Sequence, residues 1–238
     1  MAKQIFQVKS DFLEVLDFFR SKGIISNNPD PGMISTAKRI HRFTYSIMWW
    51  RFRFGSGPDN RKVFLYELAS DALQVLPQAL MGYRKTTMLL MRGIIEDVIR
   101  YVYYYDHPIE FLRVNLEKNW YISIADHFTY LKNHPLYLKT EKKFDAVGRL
   151  KNLHQEISLF VHGLRLTHME MHLGLKKVKL SPSILKRQAN FIQRVVESSN
   201  FILAVFHKTG LSKLHPDDQK VVLLTFPPAA RRIIAGLS

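Results

Sequence analysis

The stretch MLLMRGIIEDVIRYVYYYDHP, Met88–Pro108, decides the fold class. Ile94, Ile95, Val98 and Ile99 recur at steps of three and four, which puts them on one side of a 3.6-residue helix. Arg92, Glu96 and Arg100 repeat at i,i+4, so their charges can pair along the same helix. Asp106-His107-Pro108 closes it, because the residue before a proline disfavours helical backbone. One helix is therefore predicted from Tyr83 to about Tyr105. Its charged set has two readings: ion pairs that support the helix from outside, or a polar network buried with Asp97 inside the core.

The same periodicity extends in both directions. Phe12, Leu13, Leu16 and Phe19, after a Ser10 cap, outline a first helix ending near Gly23, and Ser26–Gly32 (SNNPDPG) is a loop. A second helix is predicted over 35–54, stopped by Gly55–Asn60 (GSGPDN), and a third over 61–76, stopped or kinked at Pro77. Shorter pieces follow over 109–116 and 121–132. A long helix from about 141 to 173, one from Pro182 to about His207 and a short one after Pro216 complete the set, with Pro227-Pro228 opening a basic tail. Alternating strand-like segments are missing. The prediction is an all-α chain, a single helical-bundle domain of roughly eight helices.

Charge divides this chain unevenly. Lys and Arg number 35 against 20 Asp and Glu, a net +15. Residues 1–62 hold 11 basic and 5 acidic side chains, 63–163 hold 12 and 11, and 164–238 hold 12 and 4. The near-neutral centre reads as a core over 63–175. It is flanked by a basic aromatic arm over 1–62 and by basic helices over 176–238 that pack on it. Such a balance points to a polyanionic partner, nucleic acid before an anionic membrane surface.

Several classes of function drop out. The sequence has no cysteine, which excludes disulfides, thiolate metal sites and cysteine nucleophiles. Lys9, Asp11 and Glu14 interrupt the place of a signal-peptide apolar run, and the longest uncharged run, Ala72–Tyr83, contains Pro77. A cytoplasmic protein with no transmembrane segment is expected. His168 and His172 are i,i+4 but lack a third ligand, and Glu170 sits one place late for a zincin pattern, so no metal and no cofactor is predicted.

Candidate chemistry concentrates in RLKNLHQEISLFVHGLRLTHMEMH, Arg149–His172. On one continuous helix His154, His162, Arg165, His168 and His172 would share an arc of about 120°. Histidine as general acid or base beside arginine as phosphate clamp suits metal-free attack on a phosphodiester. Arg149/His154 and Arg165/His172 satisfy the spacing R-x(4–6)-H; only the second pair shares a face. The alternative is a semi-buried helix whose histidines bond to neighbours. Tyr101–Tyr105 is expected to pack against this helix.

Binding residues concentrate in the arm. Lys38, Arg39, Arg42, Arg51 and Arg53 alternate with Trp49, Trp50, Phe52 and Phe54, and over 38–62 only Asp59 opposes them. Arginines hold phosphates and aromatic faces stack on unpaired bases, so RNA or another single strand fits this composition. An amphipathic helix with its aromatic side in the core is the competing reading. Lys176, Lys177, Lys179, Lys186, Arg187 and Arg194 make a second basic cluster.

Leu153–Gly163 (LHQEISLFVHG) resembles the "ELS.yVHG" segment of bacterial HEPN-like all-α proteins, and Met88–Pro108 resembles the long helix carrying "LRs.iE..lR" that precedes it in them. The similarity spans residues 84–163. It implies a HEPN-like helical core, association with RNA, a homo-oligomer, and a setting in bacterial stress or antiviral defence, with a partner protein encoded nearby. Many such domains are metal-independent ribonucleases; others only bind RNA or a partner. In the catalytic form an arginine lies five to seven residues ahead of the His of the HisGly pair. Here those positions are Gln155, Glu156 and Ile157, which leaves Arg149/His154 and Arg165/His172 as the candidate pairs.

Overall fold

The computed structural model describes residues 8–141, 143–163 and 180–236, and within them every regular element is helical. Twelve α-helices are present among the described residues: α1 (Val8–Ser21), α2 (Pro31–Phe54), α3 (Val63–Leu80), α4 (Arg84–Asp106), α5 (Pro108–Leu116), α6 (Ile124–Asn133), α7 (Pro135–Glu141), α8 (Ala146–Val161), α9 (Pro182–Phe206), α10 (Lys208–Ser212), α11 (Pro216–Leu223) and α12 (Pro228–Ala235). The count exceeds eight because α7, α10 and α12 are too short to show a period. Several helices begin on a proline, whose missing N–H costs nothing in the first turn. Side-chain caps fix other starts: Asp30 accepts from Met33 N, Asp145 from Gly148 N and Ser181 from Ile184 N.

Several boundaries differ from the sequence reading: α1 already runs at Val8, so Ser10 lies inside it, α2 starts at Pro31 rather than at 35, and α8 starts at Ala146 rather than near 141. Pro77 does not stop α3, which runs one further turn to Leu80 with Met81 N donating to Pro77 O. The predicted long helix through Arg149–His172 is not continuous. It ends at Val161, with His162 as its C-cap and Gly163 at φ +61, a left-handed conformation that glycine adopts without steric penalty. His162 therefore does not extend a helical stripe from His154, and Arg165, His168 and His172 lie outside the described residues.

Five long helices build the bundle. The short turn after Leu80 makes α3 and α4 antiparallel, and Arg51 over the Tyr66 ring sets α2 antiparallel to α3. Arg39 bonds Asn190 while Trp50 bonds Asn200, so α2 and α9 run parallel. Tyr101 meets His207, and Met88 and Phe191 line one cavity, so α4 is parallel to α9 as well. α8 lies antiparallel to α4, with Phe160 under Arg84 and His154 against Glu96. The starts of α2, α4 and α9 thus share one end with the terminations of α3 and α8.

The core is continuous from Phe12 to Ile234 and includes the arm. Trp49 and Trp50 are 0 % exposed. The indole N–H of Trp50 donates to Asn200 Oδ1 at 2.8 Å, and Asn200 Nδ2 donates to Ser46 and Thr225 hydroxyls at 2.8 and 3.0 Å. A buried amide satisfied this fully locks α2, α9 and the segment after α11 in register. No described helix is long and apolar enough to cross a membrane.

Candidate nucleic-acid interface

Arg149 and His154, the described candidate pair of the 149–172 stretch, separate in space. Both Arg149 and His154 stand on α8, five residues apart, and so leave the helix in different directions. Arg149 lays its guanidinium over the Phe144 ring at 4.3 Å. His154, 8 % exposed, turns to α4, where its Nε2 lies 3.0 Å from Glu96 Oε1. Arg92 and Arg100 donate to the two oxygens of the same carboxylate at 2.8 and 2.7 Å. Burial pushes the Glu96 carboxyl up, but hydrogen bonds from His154 and Arg92 and the charges of Arg100 and Arg92 outweigh it and hold it at about 2. Glu96 is thus an anion at neutral pH, and His154 Nε2 carries the proton it donates. All three donors are committed to one carboxylate, which joins the two readings of the α4 charges: i,i+4 pairs that also tie α4 to α8.

At the next position along α4, the polarity reverses. Asp97 is 4 % exposed, and burial pushes its carboxyl up to about 8 against the pull of Arg100. Asp71 on α3 is pushed up to about 6 by burial and by Glu67. Gly93 lets Asp71 come against α4 where a Cβ would collide with it. Asp97 Oδ2 has no hydrogen-bond partner. Asp97 is therefore mostly neutral at pH 7, a structural acid rather than one half of a tight ion pair. Among the described residues no group of three His, Asp or Glu is placed to hold a metal ion.

Tyr101–Tyr105 pack elsewhere than expected. Tyr101 stacks on His207 at the end of α9 and Tyr103 on His107, with His127 and Tyr130 of α6 against its edge. α8 is met by the other side of α4, which the apolar period alone does not distinguish. His207, hydrogen-bonded to Tyr101 at 2.9 Å, is pushed down to about 4 by burial.

The binding set divides in two. Trp49 and Trp50 are core and present no face to a base. Arg51 is exposed and covers Tyr66, while Arg53 is tied to Asp218. Lys38, Arg39 and Arg42, by contrast, line a cavity of about 380 Å³ together with Lys9 and Ser35, between the start of α1 and the first half of α2. Arg39 crosses from there to α9, donating to Asn190 Oδ1 at 2.8 Å and to Gln193. Asn190 lines a second cavity of about 290 Å³ with Arg84, Arg187 and Arg194. Basic side chains of α1, α2, α4 and α9 therefore line two cavities that Arg39 joins into one strip along the side of the bundle. His162 sits exposed at the neighbouring end of α8. Lys176, Lys177 and Lys179 lie outside the described residues.

Lys9, Arg84 and Gln188 line these two cavities and escaped the sequence reading. Only Gln188 left a signal there: it shares the apolar α9 face of Leu185 and Ile192, where an amide is out of place. Comparison with family models, with curated proteins and with solved structures finds no match to this chain.

Proposed function

We propose that this chain is an RNA-associated, HEPN-like protein that holds the sugar-phosphate backbone on its basic strip without cleaving it. The observation that carries this reading is the placement of Lys9, Lys38, Arg39 and Arg42 with Arg84 and Arg187, from four helices, around two cavities that Arg39 joins through Asn190. Long cationic side chains of this kind exchange condensed counterions for phosphate contacts. Burial of both arm tryptophans favours backbone contact over base stacking along the strip. Against cleavage stands the separation of Arg149, on Phe144, from His154, on Glu96. The place in bacterial stress or antiviral defence rests on the HEPN-like resemblance alone.

Fluorescence anisotropy with a labelled single-stranded RNA tests the proposal. With about four phosphates neutralised by Lys9, Lys38, Arg42 and Arg187, log K should fall against log salt with a slope of roughly −3. Lys38→Glu with Arg42→Glu should flatten that slope and weaken binding. The RNA should stay intact in EDTA. A flat salt response, or affinity indifferent to the two reversals, refutes the strip; cleavage in EDTA that His154→Ala or His162→Ala abolishes refutes the non-catalytic reading.

A further inference from the structure

The cavity between α4, α8 and α9 differs from the rest of the strip in holding an unsatisfied buried amide. Gln188 is 1 % exposed, and neither its amide nitrogen nor its oxygen has a hydrogen-bond partner. A buried amide left bare is destabilising, and an apolar residue of the same shape would fill the site at no such penalty. Around it stand the cations of two helices. Arg84, at the start of α4, stacks on Phe160 at 4.3 Å. Arg187, on α9, is exposed at the rim. Arg194, also on α9, faces Glu156, the acid lining the cavity, at 3.6 Å, an exposed and weak pair. Phe191 and Met88 supply apolar walls.

We propose that this cavity takes one unpaired nucleotide of a single strand, its base edge on the Gln188 amide and its phosphate on Arg84 and Arg187. The chemistry is complementary on each side. Every nucleobase edge offers a donor next to an acceptor, which is what a side-chain amide pairs with. The apolar walls of Met88 and Phe191 suit the body of a base, and the arginine forks suit a phosphate. At about 290 Å³ the cavity is at the small end of ligand pockets, the scale of a single nucleotide rather than of a stacked run. The inference rests on the RNA-binding reading, since Arg39 and Asn190 link this cavity to the strip. It adds what the strip lacks, a means of telling an unpaired strand from a duplex.

The test compares wild type with Gln188→Leu against a single-stranded RNA and against the same sequence as a duplex. Wild type should bind the single strand more tightly, and Gln188→Leu should lose about tenfold on the single strand, with duplex affinity and salt slope unchanged. The variant should melt no lower than wild type, since it replaces an unpartnered amide with an apolar group. A nucleoside monophosphate should compete with the single strand in wild type, where inorganic phosphate at equal charge does not. Single-strand affinity unchanged in Gln188→Leu overturns the nucleotide site and leaves the strip standing. Competition by phosphate equal to that by the monophosphate reduces it to an anion site and overturns the base contact. Absence of binding to either RNA overturns the strip and this site together.

Discussion

Replacing Asp97 by asparagine should stabilise this protein, and by an amount that grows with pH. Asp97 is enclosed between α3 and α4, with Asp71, Glu67 and Glu96 as like charges and Arg100, at 3.9 Å, as the counter-charge. Burial, then those carboxylates, raise its pKa to about 8, whereas an unfolded chain releases the same proton near ~3.9. A raised pKa of this sign means that the contribution to stability is whole below the unfolded value. It is lost progressively as pH climbs through the folded one. Within that window the native state binds one more proton than the unfolded state, so wild-type stability should fall by roughly 1.4 kcal/mol per pH unit on account of Asp97 alone. The substituted amide has the shape of the neutral acid and no acidic proton to retain. The stability difference between variant and wild type should therefore widen by about 3 kcal/mol between pH 5 and pH 7. It should level off above pH 8. Asp71, pushed up to about 6, contributes its own slope to both proteins and cancels in the difference. Urea titrations followed by circular dichroism at a series of pH values measure it directly. Parallel stability curves, with the variant no more stable at pH 7 than at pH 5, would refute the assignment of Asp97 as a neutral buried acid.

Three other outcomes follow from the same structure. Trp50→Phe should lower stability by about 1–3 kcal/mol, because Asn200 Oδ1 loses its 2.8 Å donor inside the core; pairing it with Asn200→Leu in a double-mutant cycle should give less than the sum. Gly163→Ala should lower it by about 1–2 kcal/mol, since an alanine at φ +61 meets the carbonyl that glycine avoids, and thermal melting of the two proteins decides the point. His207, whose folded pKa is depressed to about 4 by burial, contributes stability present above ~6.5 that is lost as pH falls through 4. In His207→Phe that acid-side decline should shrink, and an identical decline in both proteins would contradict the burial of a neutral imidazole.

How much was legible in the sequence depended on whether the signal was local. The α4 helix, its stop at Pro108 and the start at Pro182 follow from period and breakers and stand as read, whereas the loop read over Ser26–Gly32 is cut short by α2, which begins on Pro31. The end of α8 was also written in the chain, as the HisGly pair, but a run of histidines beyond it looked like continued helix. Side-chain fate was harder. Trp49 and Trp50 are adjacent and lie among arginines, so composition suited a stacking surface. Only the parallel placement of α9 shows that both indoles are covered. For His154 and Glu96, 58 positions apart, no local pattern announces the pairing, and the i,i+4 arginines around Glu96 gave the only hint. Gln188 was visible as a polar residue on an apolar face, but its lack of partners required every neighbour to be in place.

The opposed directions of the long helices have a consequence for the field around the protein. Asp11 meets His41 while Leu16 lies with Ile34 and Ala37, so α1 runs against α2, and the helices α2, α4 and α9 are balanced by α1, α3 and α8. Their peptide dipoles offset one another, and what remains beyond the surface is the field of the lysine and arginine side chains. A field made of exposed side chains is short in reach: it decays over about 8 Å at physiological salt, and each cation removed takes its own share with it.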